Sequence, residues 1–178
     1  VPTDFVQLVE DYAFQFPQWV METPQVSANI YPEEGERRVV ELKLSYQNSR
    51  DDLRNMQSQV SSVFASAELY VIGKGPYLEK ASLLYSFLME RHEYQFHTSI
   101  TPAYSLLIHG VGDSRAFAQV YAAMCSRIGL EAKFVSGTRA GEKHHWNLVR
   151  IDGAWYHLDL LAFPQFRPMT DVEMADYD

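Results

Sequence analysis

An α+β fold, with N-terminal helices packed against an antiparallel sheet, is predicted by three features of the chain. Apolar residues recur at helical spacing between residues 49 and 128, and three β-rich runs follow between 131 and 160. The dipeptide Asp152-Gly153 then joins the last two runs as a tight hairpin. Helices first and a meander afterwards is the order of segregated layers, not of alternating βα units.

Residues 1–35 are aromatic-rich and interrupted by Pro2, Pro17, Pro24 and Pro32, so they read as an N-terminal wrap with a strand near 25–30. From Arg37 to Tyr46, Val40, Leu42, Leu44 and Tyr46 alternate with Val39, Glu41, Lys43 and Ser45, which predicts a half-buried strand. Ser49 is a helix cap with Asp51 and Asp52 in the first turn, and Leu53, Met56, Val60, Val63 and Phe64 continue the period to about Leu69. Gly73–Pro76 breaks the chain. Tyr77, Ala81, Leu84, Leu88 and Arg91 carry a second helix to about Tyr94, with proline near its first position. A short helix is expected over 102–108. Asp113 to Arg127 is the third major helix, with Phe117, Val120, Tyr121 and Met124 on one side and Gly129 just past its last turn. Strands are expected at 131–137, 143–151 and 154–160.

A chain of 178 residues with 47% hydrophobic content has the length and the material for one domain with one core, spanning 1–178. The formal charge of −8, with scattered Lys and Arg, excludes a nucleic-acid surface and makes an anionic membrane a poor partner. No apolar run approaches the ~18–20 residues of a membrane span. The chain opens Val-Pro-Thr without a signal-like start, as expected of a mature or trimmed segment. Cys125 stands alone, which excludes an internal disulfide; mid-helix in an apolar stripe, it reads as a small buried hydrophobe.

The hairpin count places candidate site residues. With the loop at 152–153, Ile151 lies opposite Ala154 and Trp146 opposite Asp159. His144 then shares the face of Asp159 as its diagonal neighbour, while His145 points to the other face unless a bulge intervenes. His157 also shares the face of Asp159 and is the rival partner, though its place beside Trp155 suits an aromatic-supported strand residue. Because His144 and His145 diverge, they do not converge on a metal with His157 and Asp159, and no metal or cofactor is expected. Gly112-Asp113-Ser114 opens the third helix. It reads as a cap, or as a nucleophile beside free main-chain N–H groups that would favour a developing oxyanion.

These motifs resemble the transglutaminase-like superfamily, with its papain-like fold. The family pattern runs A-Y-x-x-L-x-x-G-x-x-V-C-x-G-Y-A, then L-C-x-x-L-G-I, G-H-x-W-N and D-G-x-W-Y-x-x-D. Here it corresponds to AYSLLIHGVGDSRAFA (103–118), MCSRIGL (124–130), HHWNL (144–148) and DGAWYHLD (152–159). The resemblance covers a core of 76–163, with 1–75 as a variable N-terminal part. It implies a nucleophile position at Ser114, a base at His144 facing the helix start, and an orienting carboxylate at Asp159. Tyr104 and Trp146 are implied as anion-hole or cleft residues. Ser114 stands where the family has cysteine, with Asp113 and Ala116 replacing the flanking Val and Gly.

A helix-start cysteine beside histidine can be pre-ionised, whereas a serine hydroxyl needs a well-placed general base during attack. The resemblance therefore implies a degenerate domain that binds a peptide, protein or cell-wall polymer without turnover. The alternative is a serine-dependent amide or ester hydrolase or acyltransferase using Ser114, His144 and Asp159. A bacterial cell-surface or extracellular location is implied by the resemblance alone.

Overall fold

The computed structural model describes residues 3–31, 35, 38–94 and 102–177. In chain order the elements are α1 (Phe5–Gln15), β1 (Gln25–Tyr31), β2 (Val39–Ser45), α2 (Arg50–Val71), α3 (Tyr77–Met89), β3 (Glu93–Tyr94) and α4 (Pro102–His109). There follow β4 (Val111–Gly112), α5 (Ser114–Arg127), β5 (Ala132–Arg139), β6 (Glu142–Ile151), β7 (Ala154–Leu158) and α6 (Asp171–Ala175).

Helix α5 is the centre of the molecule. Its Phe117, Val120, Tyr121, Met124 and Cys125 are all at most 1% exposed. They meet Val60 and Phe64 of α2, Leu84 and Leu88 of α3, and Leu106 of α4 in one apolar core that also takes Val149 and Leu158 from the sheet. The buried Tyr121 hydroxyl donates to the Ala81 carbonyl at 2.7 Å, so the helix layer is pinned by a polar contact as well as by packing. The expected signals at the ends of α5 are in place: Asp113 caps the start, and Gly129, at φ +79°, closes the last turn with Leu130 N–H bonded to the Cys125 carbonyl. Burial pushes the Cys125 thiol up to about 12, consistent with an inert core residue.

The three-stranded sheet β5-β6-β7 is antiparallel throughout. Ile151 pairs with Ala154, and both turn residues have positive φ, 51° at Asp152 and 84° at Gly153, which is the type I′ geometry that Asp-Gly suits. A second two-residue turn of the same kind, Ala140-Gly141, joins β5 to β6.

Four expectations are corrected. Residues 5–15 of the N-terminal wrap form α1, capped by Asp4. None of its residues is buried, although its apolar residues do recur at helical spacing. The second helix stops at Met89, not near Tyr94. The side chains of Arg91 and His92 turn back onto the carbonyls of Phe87 and Leu88, and Glu93–Tyr94 pairs in parallel with Val111–Gly112. The last strand ends at Leu158, because Asp159 turns to accept from Leu161 N–H. Strand β2 alternates as read, but every residue of it is exposed. Among the described residues it pairs only with β1, as a two-stranded ribbon in which β2 is open to solvent on both faces. Pro2, Pro32 and Arg37 fall outside the described residues.

This difference in burial has a direct consequence. Leu88→Ala is expected to destabilise the protein by about 2–5 kcal/mol, and Leu44→Ala by under about 0.5 kcal/mol, in urea unfolding. Equal costs would show that the β1–β2 ribbon is packed after all.

Candidate active site

The site is built where the start of α5 meets β6. Strand alternation sends neighbouring side chains of β6 to opposite faces of the sheet. His145 and Asn147 face α5: Asn147, fully buried, donates through Nδ2 to the Ala118 carbonyl at 2.8 Å, and His145 lies one pair further along the strand. His144 and Trp146 face away. The hairpin register therefore holds as counted, with an outcome for each histidine.

On the outer face, His144 Nε2 donates to Asp159 Oδ2 at 2.6 Å. Asp159 is 2% exposed, takes the Leu161 N–H at 3.2 Å, and has the Arg139 guanidinium 3.6 Å away. Arg139 was not found from the sequence. The unrecognised Ala140-Gly141 turn is what carries it to the face of His144 and Asp159. The indole of Trp146 lies 6.1 Å from the His144 ring in stacked orientation, and a Cβ at Gly137 would collide with that indole. Trp146 Nε1 donates to His157 Nδ1 at 3.0 Å, so His157 carries its proton on Nε2 and donates to Asp171 at 2.9 Å. His157 is thus held by an indole and by the start of α6, and its contact is with Trp146 and not Asp159. The recess around His144 and Asp159 is also lined by Phe163, Met174 and Tyr177. Its free volume of about 10 Å³ is room for about one water.

On the inner face, the Ser114 hydroxyl meets His145 and not His144, which is the partner the resemblance implies. The Ser114 Oγ to His145 Nδ1 distance is 3.2 Å, and Ser114 is 8% exposed. The reason is the docking of α5: it lies on the sheet face that His145 shares with Asn147, opposite the face of the His144–Asp159 pair. Burial holds the pKa of His145 below the ordinary histidine range, and Arg115 acts in the same direction against a weaker pull from Asp113. The ring is therefore neutral at neutral pH and, when protonated on Nε2, accepts from the serine hydroxyl.

The helix start is occupied by its own cap. Asp113 Oδ1 accepts from Ala116 N–H at 2.8 Å, so a carboxylate already sits where the helix dipole favours negative charge. Tyr104 packs edge-on against His109 at 5.2 Å and, among the described residues, makes no hydrogen bond to Ser114.

A groove of about 540 Å³ between α1, α5 and β5 adjoins this inner face. Phe134, one of its walls, lies 5.1 Å from the His145 ring and 4.4 Å from Phe14. Gln18 and Gln119 also line it, and the Oε1 atoms of both are buried without a partner among the described residues. The groove thus combines aromatic walls at Phe14 and Phe134 with polar residues such as Asp11, Gln15 and Lys133. No group of three or more His, Cys, Asp or Glu converges as a metal site among the described residues. No helix among them is long and apolar enough to cross a membrane.

The family model described as "Transglutaminase-like superfamily" matches residues 65–160. A solved structure described as a TGase superposes with a TM-score of 0.53 at 12% identity, over 93% of this chain and 50% of that one. A candidate cysteine protease from Cytophaga hutchinsonii gives a TM-score of 0.51 at 15% identity, over 86% of this chain and 68% of that one. The chain therefore spans half the length of the first of these proteins. No curated protein sequence matches it.

The histidine environment sets a pH response. His145 and His92 both have pKa values lowered from 6.5, chiefly by burial. Below that value the unfolded chain binds more protons than the folded one, so stability falls as pH drops from 6.5 toward the lowered folded values. Urea unfolding at about pH 7 and about pH 5.5 should show this loss, and His145→Gln should remove its share of it. A slope that is unchanged in His145→Gln would contradict the partly buried, neutral ring.

Proposed function

We propose that this chain, which belongs to the transglutaminase-like superfamily, is a binding domain without turnover that takes a peptide or polymer beside the start of α5. In this reading Ser114 stands at the position of the family's nucleophilic cysteine. One observation carries it: the Ser114 hydroxyl partners His145 on the inner face, while the only described carboxylate–histidine pair of the motif, His144–Asp159, lies on the outer face. A general base acts on a nucleophile through a hydrogen bond, and an orienting carboxylate acts through that same base. Here the two halves of such a chain are on different histidines.

The surroundings support the same reading. Asp113 places a carboxylate next to the position of any developing oxyanion, which opposes the charge that an anion hole must stabilise. Arg139 already balances part of the charge of Asp159. Phe163, Met174 and Tyr177 line the recess beside His144 and Asp159, whose free volume of about 10 Å³ is far below that of a ligand site. The binding role falls to the α1–α5–β5 groove, whose Phe walls and polar residues Asp11, Gln15 and Lys133 suit a chain with hydrogen-bonding groups and apolar side chains. A peptide, protein or cell-wall polymer has this chemistry, and a cell-surface setting would present it.

A second reading rests on the Ser114–His145 contact itself. A neutral imidazole 3.2 Å from a serine hydroxyl is the first half of a serine-dependent amide or ester hydrolase or acyltransferase. The two readings part cleanly in one experiment. Treatment with a fluorophosphonate probe, read by intact mass, should leave Ser114 unlabelled, and p-nitrophenyl ester hydrolysis should not exceed the buffer rate. Labelling and hydrolysis that both vanish in Ser114→Ala would overturn the binding-only reading and establish the second.

A further inference from the structure

We propose that a second groove, between the base of the β1–β2 ribbon and the start of α2, binds an acidic sugar ring such as a uronic-acid unit of a polysaccharide. The groove is about 620 Å³, within the range of small-ligand sites, and shares no lining residue with the Ser114 or His144 surroundings. Its floor is apolar: Val20, Met21 and Leu53 line it, and Met21 is 3% exposed.

The polar edge comes from α2. Arg50, Arg54 and Gln57 lie at i, i+4 and i+7, on one helix face. Neither arginine forms an ion pair among the described residues. This is notable in a protein with 15 basic and 23 acidic side chains. Glu22 also lines the groove, but both of its carboxylate oxygens already accept hydrogen bonds from the chain. It accepts from Gln47 N–H at 2.6 Å, Asn48 N–H at 3.0 Å and Asn48 Nδ2 at 3.1 Å. What the groove offers a ligand is therefore two guanidinium forks, the geometry that matches a carboxylate bidentately.

The walls decide which carboxylate. Trp19 is 59% exposed and Tyr46 is 47% exposed, and both line the groove. Flat aromatic faces with polar tips are the surfaces on which a ring with one C–H face and a hydroxylated edge can lie. A linear acidic side chain would use the arginines and leave both rings in water. A sugar acid uses all four residues at once, and an open groove lets the rest of a polymer continue past them.

The test uses the full chain and trigalacturonate as probe, with maltotriose as the neutral control and oligoglutamate as the acidic-peptide control. Trigalacturonate should bind saturably in calorimetry, change the tryptophan emission, and weaken with added salt. Arg50→Ala with Arg54→Ala should weaken it by about tenfold or more. Trp19→Ala should abolish the emission change. All three side chains are exposed, and circular dichroism verifies that the variants stay folded. The proposal is overturned by the absence of saturable binding or by binding that the variants leave unchanged. It is equally overturned by oligoglutamate or maltotriose binding as well as trigalacturonate.

Discussion

The two-residue period of β6 governs this molecule's chemistry. His144 and His145 are adjacent in sequence, so a regular strand must send them to opposite faces. Each face has its own packing partner. Helix α5 covers one, and the segment from Leu160 through α6 covers the other, tied down by the mutual backbone hydrogen bonds of His157 and Met169. One histidine is thereby committed to Ser114 and the other to Asp159. No small rotation exchanges them, because a one-residue slip would turn Asn147 and Val149 out of the core.

The same packing sets the surroundings of Ser114. A first-turn position on a 14-residue helix that crosses the core is rigid, and its free N–H groups form an anion-binding end. Asp113 fills that role from within the chain. The result is a stable helix start and a neutral Ser114–His145 contact, in place of an ionised nucleophile. The two grooves proposed for binding lie to the sides, where the N-terminal part meets the helix layer: α1 against α5, and the approach to β1 against α2.

Much of this was legible in the chain. Asp-Gly fixed the β6–β7 register, and that register brought His144 to Asp159 as counted. Ser49, Asp113 and Gly129 marked helix ends correctly because capping is local chemistry. What escaped depends on contacts distant in sequence. Which histidine meets Ser114 is decided by the sheet face on which α5 docks, and no local pattern encodes that. Arg139 reaches Asp159 through a turn made of Ala140-Gly141, which lacks the stronger Asn-Gly or Asp-Gly signal. Helix α1 was missed because the four prolines of residues 1–35 masked its short period, and α1 and the ribbon share one further feature. Their apolar residues are not in the core, so periodicity alone could not report their burial.

The division of the two histidines can be observed directly from their imidazole nitrogen resonances by ¹⁵N-edited NMR, in the wild type and in Ser114→Ala. The account predicts that removing the hydroxyl shifts the His145 resonances and leaves those of His144 in place, with His144 protonated on Nε2 toward Asp159. A Ser114→Ala spectrum in which His144 shifts and His145 does not would contradict it, and would return Ser114, His144 and Asp159 to a single catalytic chain.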